Sequence, residues 1–451
     1  MSSYLLAMAV VNYKYKEKTM KSISGNTIRV RVWLIPELIE NAAEPLENGV
    51  KLISYYEKKL GQPYPLPKMD MIGVKLLAAA AMENWGLIIY DGSSLGSSYA
   101  WFGNLVTMKF WDDIFLNEGF AAFLQVLALV GIGEKHDMMT YYRALNVVLL
   151  KEGVSFPPRA VHYEPVWPED YINIKKIFNK YVYFKGASAI RTIELAMESK
   201  EFYEGIKLYL NRYQFGNADY HDLLNTLSEA KPLNQTSGGP KSIAEFAETW
   251  ILQPGYPAVT VKRHNATHVE LTQKPRSFEG SAPVSKAKWW IPIFYKVDGK
   301  ARPMEWLFET LHLEVGQDEA LILNEDLNVL YCVNNDNETL NAVKKRIGDK
   351  NIFPWPALQK LIENSIVSAN VNCTSHDSAL ELLAEVFKHR FDDLKGHFAE
   401  TGQKLDRKLR FTESKANLDY YENVKEIDAL GSVMDFMQAN RPNYVNERTR
   451  Y

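Results

Sequence analysis

Ala80-Ala81-Met82-Glu83-Asn84-Trp85-Gly86, Trp101-Phe102-Gly103-Asn104-Leu105-Val106-Thr107 and Leu116-Asn117-Glu118-Gly119-Phe120 are the stretches on which the reading of this chain turns. The third lies inside a predicted helix that opens at Asp112 or Asp113. That helix carries Phe115, Leu116, Phe120, Phe123 and Leu127 and runs to Gly131. Upstream, strand-like alternation covers Tyr4 to Ala7 (within an apolar run, Leu5 to Val11) and then Ile28 to Val32. A helical pattern from about Glu40 to Leu60 puts Leu46, Val50, Ile53 and Leu60 on one face, with Gly61 as its stop. The connector Gly61-Gln62-Pro63-Tyr64-Pro65-Leu66-Pro67 leads to another short strand, Met69 to Lys75. Downstream, Asp219 is expected to start a short helix. Ser242-x-x-Glu245 reads as a capping box for one ending near Leu252.

After Pro254-Gly255-Tyr256-Pro257 the texture changes. Short β-branched and aromatic runs (Val259 to Val261, His268 to Leu271, Trp289 to Val297, Leu321 to Leu323, Val329 to Val333) alternate with turn residues. This is the pattern of a small β-sandwich. From Asn337 the pattern is helical again, over Leu358 to Val367, Ala379 to Phe387 and a charged tail near Asn417 to Met437. The expected fold class is therefore α+β and multidomain, and no internal repeat points to a solenoid.

Composition excludes several classes. The 451 residues are 46% apolar and 24% charged, which is too apolar for a disordered chain. With 52 basic and 55 acidic side chains, the net charge of -3 gives no global attraction for nucleic acid. Lys344-Lys345-Arg346 reads as a solvated helix face. No apolar run reaches the roughly 18–20 residues of a membrane span, and no signal peptide or anchor is legible. The sequons at Asn234, Asn265, Asn337 and Asn372 lean toward a secretory lineage, so compartment stays open. Cys332 and Cys373 allow one bridge without dictating it. There is no P-loop, G-x-G-x-x-G or G-x-S-x-G.

The three opening stretches, in that order, resemble the gluzincin zinc aminopeptidases, the kin of aminopeptidase N and puromycin-sensitive aminopeptidase. The family's pattern is G-A-M-E-N, then H-E-x-x-H-x-W-F-G-N, then L-N-E-G-F. Tyr183-Phe184-Lys185-Gly186-Ala187-Ser188 resembles its Y-x-K-G-A-S. Tyr331-Cys332-Val333-Asn334-Asn335-Asp336 resembles Y-Y-R-V-N-Y-D more loosely. The resemblance implies a remnant of an N-terminal β-saddle over 1–27, a thermolysin-like domain over 28–253, a β-sandwich over 254–336 and a shortened α-helical domain over 337–451. It implies peptides with a free N-terminus as ligands and zinc as the family cofactor. Glu83, flanked by Ala81, Met82 and Asn84, matches the carboxylate that receives the α-amine. Tyr183 matches the transition-state tyrosine, and Glu118 matches the third zinc ligand.

Two histidines at i and i+4 of a helix grip zinc on one face, and the intervening Glu acts as base on its water. Counting back from Trp101 puts Tyr99, Gly96 and Leu95 at the three positions, and none can serve. No histidine precedes His136. By resemblance, roughly thirty residues should separate Asn84 from the first His, against ten here, so about two dozen are missing. Asp91-Gly92-Ser93-Ser94-Leu95-Gly96-Ser97-Ser98 reads as a joint. Ala80 replaces the motif's Gly. Glu118 is then the sole remaining ligand position, and zinc is expected to be unbound. His264-Asn265-Ala266-Thr267-His268 has the right spacing but lies between strands, and is read as a turn. His136, His162, His221, His312, His376, His389 and His397 show no ligand spacing and read as surface or satisfied histidines.

The expected function is a catalytically impaired aminopeptidase homologue. The alternatives are an active zinc aminopeptidase with unconventional ligands, a non-enzymatic binding module that dimerises with itself or a full-length relative, and a product of aberrant splicing.

Overall fold

The computed structural model describes residues 3–75, 77, 81–91, 101–133, 138–152, 159–162, 176–232, 238–276, 286–370, 373–375, 377–386, 388–390 and 393. The sequence expectations for Ala80, for Leu95, Gly96 and Tyr99, and for the 417–437 tail lie outside these residues. The chain divides into two compact units, one made of 1–141, 160–234 and 241–252, the other of 142–159, 235–240 and 253–451.

The first unit opens on a mixed sheet. Its strands are β1 (Lys14–Lys21), β2 (Thr27–Leu34), β3 (Lys68–Val74), β4 (Ala81–Met82) and β5 (Leu87–Asp91). Their order is β1-β2-β3-β5-β4; β3 runs parallel to β2 and β5, and the outer pairs are antiparallel. Ile28, Val30, Val32 and Leu34 alternate inward along β2, the period-two pattern of a half-buried strand. Helix α1 (Ala43–Leu60) follows a 3₁₀ turn (Pro36–Ala42) and ends at Gly61, whose φ of 64° is the left-handed cap glycine accepts cheaply. Leu46, Leu52, Ile53, Tyr56 and Leu60 form its buried stripe.

The expected strand at Tyr4–Ala7 does not form. Ser3–Leu5 is a 3₁₀ turn, and Leu6, Met8 and Val10 stand 74%, 90% and 91% exposed. Alternation alone does not make a strand: among the described residues no neighbouring strand pairs with this run.

The second expected helix is α2 (Phe115–Gly131), starting later than its sequence suggested. Asp113 is turned inward instead of capping the helix: its carboxylate meets His162 Nδ1 at 2.9 Å and accepts from the Tyr220 amide at 3.2 Å. Helix α3 (Met138–Glu152) is mostly part of the second unit; the first resumes with a π turn (Tyr181–Lys185) running directly into α4 (Gly186–Met197), and α5 (Ser199–Tyr213). The short strands β6 (Thr107–Met108) and β7 (Asn217–Ala218) pair in parallel. Helix α6 (Tyr220–Ala230) has the expected start at Asp219, and Asp219 and Asp222 cap each other's amides at 2.9 and 3.1 Å. Ser242 caps α7 (Ile243–Ile251) by accepting from the Glu245 amide at 3.0 Å, while the Glu245 carboxylate takes the Lys241 amide.

In the second unit, β8 (Pro257–Arg263), β9 (His268–Pro275), β14 (Thr310–Glu314) and β16 (Cys332–Asn335) make a four-stranded sheet ordered β14-β9-β8-β16. Between β9 and β16 in sequence lie β10 (Ile291–Ile293), β11 (Tyr295–Val297), β12 (Lys300–Ala301), β13 (Glu305–Leu307) and β15 (Leu321–Leu323), in two smaller sheets. The run expected over Val329–Val333 enters its strand only at Cys332; Val329, Leu330 and Tyr331 are buried as irregular chain held by the Asn324 side chain.

Helices α8 (Asn337–Arg346), α9 (Trp355–Asn370) and α10 (377–386) enclose a core of Leu340, Val343, Ile347, Leu358, Ile362 and Leu382 with their neighbours. Asp336 caps α8 through the Thr339 amide at 2.8 Å. Lys344, Lys345 and Arg346 sit in its last turn, facing Glu381, Asp318 and Asp298. A disulfide joins Cys332 to Cys373, the bridge the sequence left open. The architecture is mixed helix and sheet, and no described helix is long and apolar enough to cross a membrane.

Candidate functional site

Two glycines bring the carboxylate of α2 to the tyrosine of the π turn. A Cβ on Gly119 would lie 3.2 Å from the Gly186 backbone, and one on Gly186 would lie 3.1 Å from Gly119 Cα. The two helical segments therefore touch backbone to backbone, a contact any side chain would wedge apart. Glu118 and Tyr183 flank this contact, and their side chains are hydrogen-bonded, the phenol donating to the carboxylate. An extra residue in a helical turn re-aims the side chains around it, so the π turn is the local device that presents Tyr183.

Glu83 arrives from the other direction, at the end of edge strand β4. Its carbonyl accepts from Asn104 Nδ2 at 2.7 Å, and the next residue's side chain, Asn84 Nδ2, donates to the Tyr4 carbonyl at 3.1 Å. The Trp85 amide donates to the Leu5 carbonyl at 3.0 Å. Gly103, at φ 100°, turns the chain beside Asn117, whose Nδ2 would lie 3.0 Å from any Cβ there. Its carbonyl takes the Tyr4 hydroxyl at 3.4 Å and the Thr107 hydroxyl at 2.8 Å. The three opening stretches and the Tyr183 turn thus meet in one place.

The electrostatics are those of two carboxyls crowded in a poorly solvated pocket. Both keep part of their surface open. Desolvation nonetheless raises the Glu83 carboxyl above its ordinary range. Desolvation, then the Glu83 charge, push Glu118 up to about 7, against the Tyr183 hydrogen bond that lowers it. The Tyr4 hydroxyl is raised by burial and by both carboxylates, so it shares their field. Asn84 Oδ1, Asn104 Oδ1, Asn117 Oδ1 and Trp101 Nε1 are buried with no partner among the described residues. Buried polar atoms of this kind are costly and concentrate where water or a ligand completes the set.

Of the sequence-selected residues, Glu83, Asn84, Glu118 and Tyr183 converge, and Ala81 and Met82 form the edge strand leading in, opposite Tyr90 and Ile89. Tyr4, Asn104 and Asn117 belong to the same site and were missed. Asn104 and Asn117 stand inside the quoted stretches and could have been found there; nothing in its local sequence singles out Tyr4. His162 is engaged by Asp113, and His264-to-His268 is the β8–β9 hairpin turn, as its strand context required.

The family model of the peptidase family M1 domain matches residues 44–99 and 96–250, two pieces that meet just before Trp101. Residues 44–250 therefore carry a peptidase family M1 domain. It is 29% identical to aminopeptidase N of Haemonchus contortus, over 85% of this chain and 42% of that protein. It is 31% identical to tricorn protease-interacting factor F2 of Thermoplasma volcanium, over 80% of this chain and 46% of the relative. Against aminopeptidase N of Homo sapiens it is 28% identical, over 77% of this chain and 38% of the relative. The chain thus spans less than half the length of these relatives. The boundary between the matched pieces falls where the sequence places its missing segment.

Proposed function

We propose that this chain is an aminopeptidase-like protein that holds the free α-ammonium end of a peptide and does not hydrolyse it. One observation carries the reading: the Glu83–Glu118 pair, with Tyr183 bonded to Glu118, has no imidazole beside it among the described residues. Amide hydrolysis in this family rests on zinc, whose bound water reaches a pKa near ~7. A catalytic zinc takes three protein ligands and leaves one position open. Glu118 offers one carboxylate, no histidine precedes His136, and His162 is committed to Asp113. This donor set does not fit a catalytic zinc.

What the residues do fit is a cation. An ammonium placed between Glu83 and Glu118 would offset their repulsion and draw both toward the ionised form. Tyr183 bonds to Glu118, and β4, the last strand of its sheet, offers backbone groups to an extended peptide. We read residues 1–27 as the β-saddle remnant, 28–253 as the thermolysin-like domain, 254–336 as the β-sandwich and 337–451 as the partial helical domain.

Calorimetry with a short peptide and its N-acetylated twin tests the binding reading. The free peptide should bind and the acetylated one should not. Glu83→Gln should weaken binding by roughly ten- to a hundredfold, the worth of a charge-assisted hydrogen bond. Equal binding of the two peptides would overturn the proposal.

A further inference from the structure

The exposed face of the β8–β9–β14 sheet brings together three side chains that are far apart in sequence: His264, Glu270 and His312. Their nearest ligand atoms all lie within 4.8 Å of one another. Strand register does this. His312 on β14 stands directly opposite Glu270 on β9, and Glu270 stands opposite Lys262 on β8. His264 lies two residues beyond Lys262, so it projects from the same face. The two imidazole rings meet edge to face, with centroids 4.9 Å apart, and His312 Nε2 is 4.0 Å from the Glu270 carboxylate. The turn beneath is braced: Asn265 Oδ1 accepts from the Thr267 amide at 2.9 Å and its hydroxyl at 3.0 Å. The same Thr267 hydroxyl engages His268 Nδ1 at 2.9 Å, and His264 is the hairpin ring that packs on His312.

We propose that His264, Glu270 and His312 form a surface binding site for a divalent transition metal of the zinc type, in the second unit and independent of Glu118. Two neutral imidazoles and one carboxylate suit zinc, copper or nickel and disfavour calcium and magnesium, which want oxygen ligands. Metal–ligand distances of about 2.0–2.2 Å require the three atoms to draw closer by rotamer changes, which half-exposed side chains on a rigid ladder can make. Water completes the coordination. The metal would staple three neighbouring strands, so its binding should raise the thermal midpoint by mass action.

The test uses the full chain stripped with a chelator and titrated with zinc chloride alone, bound metal being measured by equilibrium dialysis and the thermal midpoint followed in parallel. One zinc per chain should bind, excess calcium should not displace it, and the midpoint should rise. His264→Ala and His312→Ala should each lose about tenfold or more in zinc affinity and abolish the midpoint shift, with circular dichroism unchanged. Zinc binding that survives both substitutions, that calcium displaces, or that disappears with Glu118→Gln instead overturns the site, as does failure of the wild-type chain to bind zinc.

Discussion

Glu118→Gln should stabilise the protein at pH 8 and change it little at pH 4.5. The fold lifts this carboxyl to about 7, through burial first and the Glu83 charge second. The folded state therefore holds the Glu118 proton more tightly than the unfolded chain does. That preference contributes fully below the ordinary carboxylate range and is lost as pH rises through about 7. Glutamine keeps the shape and can still accept from Tyr183, but carries no charge to desolvate. At 1.36 kcal/mol per pH unit the difference between the two proteins should grow to at most about 3 kcal/mol between pH 4.5 and 8, less whatever solvent reaches the site. Urea unfolding of both proteins at the two pH values checks this. Parallel stability curves would mean that the Glu118 carboxyl titrates normally.

The second large effect is at Phe120. Its ring stacks on Phe102 with centroids 4.0 Å apart and planes 3° from parallel, and it meets Phe123 edge-on. At 1% exposure it fastens the Trp101–Val106 turn to α2, two residues beyond Glu118. Phe120→Ala should cost about 3–5 kcal/mol, the transfer of a ring plus the cavity it leaves. Because the stacked pair joins two of the stretches that build the site, the α-ammonium pocket should loosen with it. Unfolding free energy and peptide affinity should fall together, whereas a loss under about 1 kcal/mol would mean that the core closes over the gap.

Helix periodicity made α1 and α2 legible, and capping chemistry made the starts of α6 and α7 legible, because these signals are local. What misled was also local. Asp112-Asp113 looks like a helix start until Asp113 is seen serving His162 and the Tyr220 amide, partners 49 and 107 residues away. Tyr4–Ala7 alternates like a strand but has no described strand beside it. Asp336, noted in the sequence for its loose motif, is a helix cap that also takes the Arg263 amide at 2.6 Å.

At the candidate site, motif residues with side-chain chemistry were readable one at a time. Their convergence was not: it depends on Gly119 lying against Gly186, 67 positions later, and on Asn104 reaching back to Glu83. The His264–Glu270–His312 group was invisible because its spacing is a property of strand register across three strands, not of any helix repeat.

Turnover of an aminoacyl anilide by the purified chain, with zinc supplied and with Glu118→Gln run alongside, bears most directly on the account. Neither protein should release the anilide product above the rate without protein, whatever metal the His264 site takes up. Cleavage that depends on zinc and disappears with Glu118→Gln would contradict it, because a lone carboxylate would then have assembled a working hydrolytic centre.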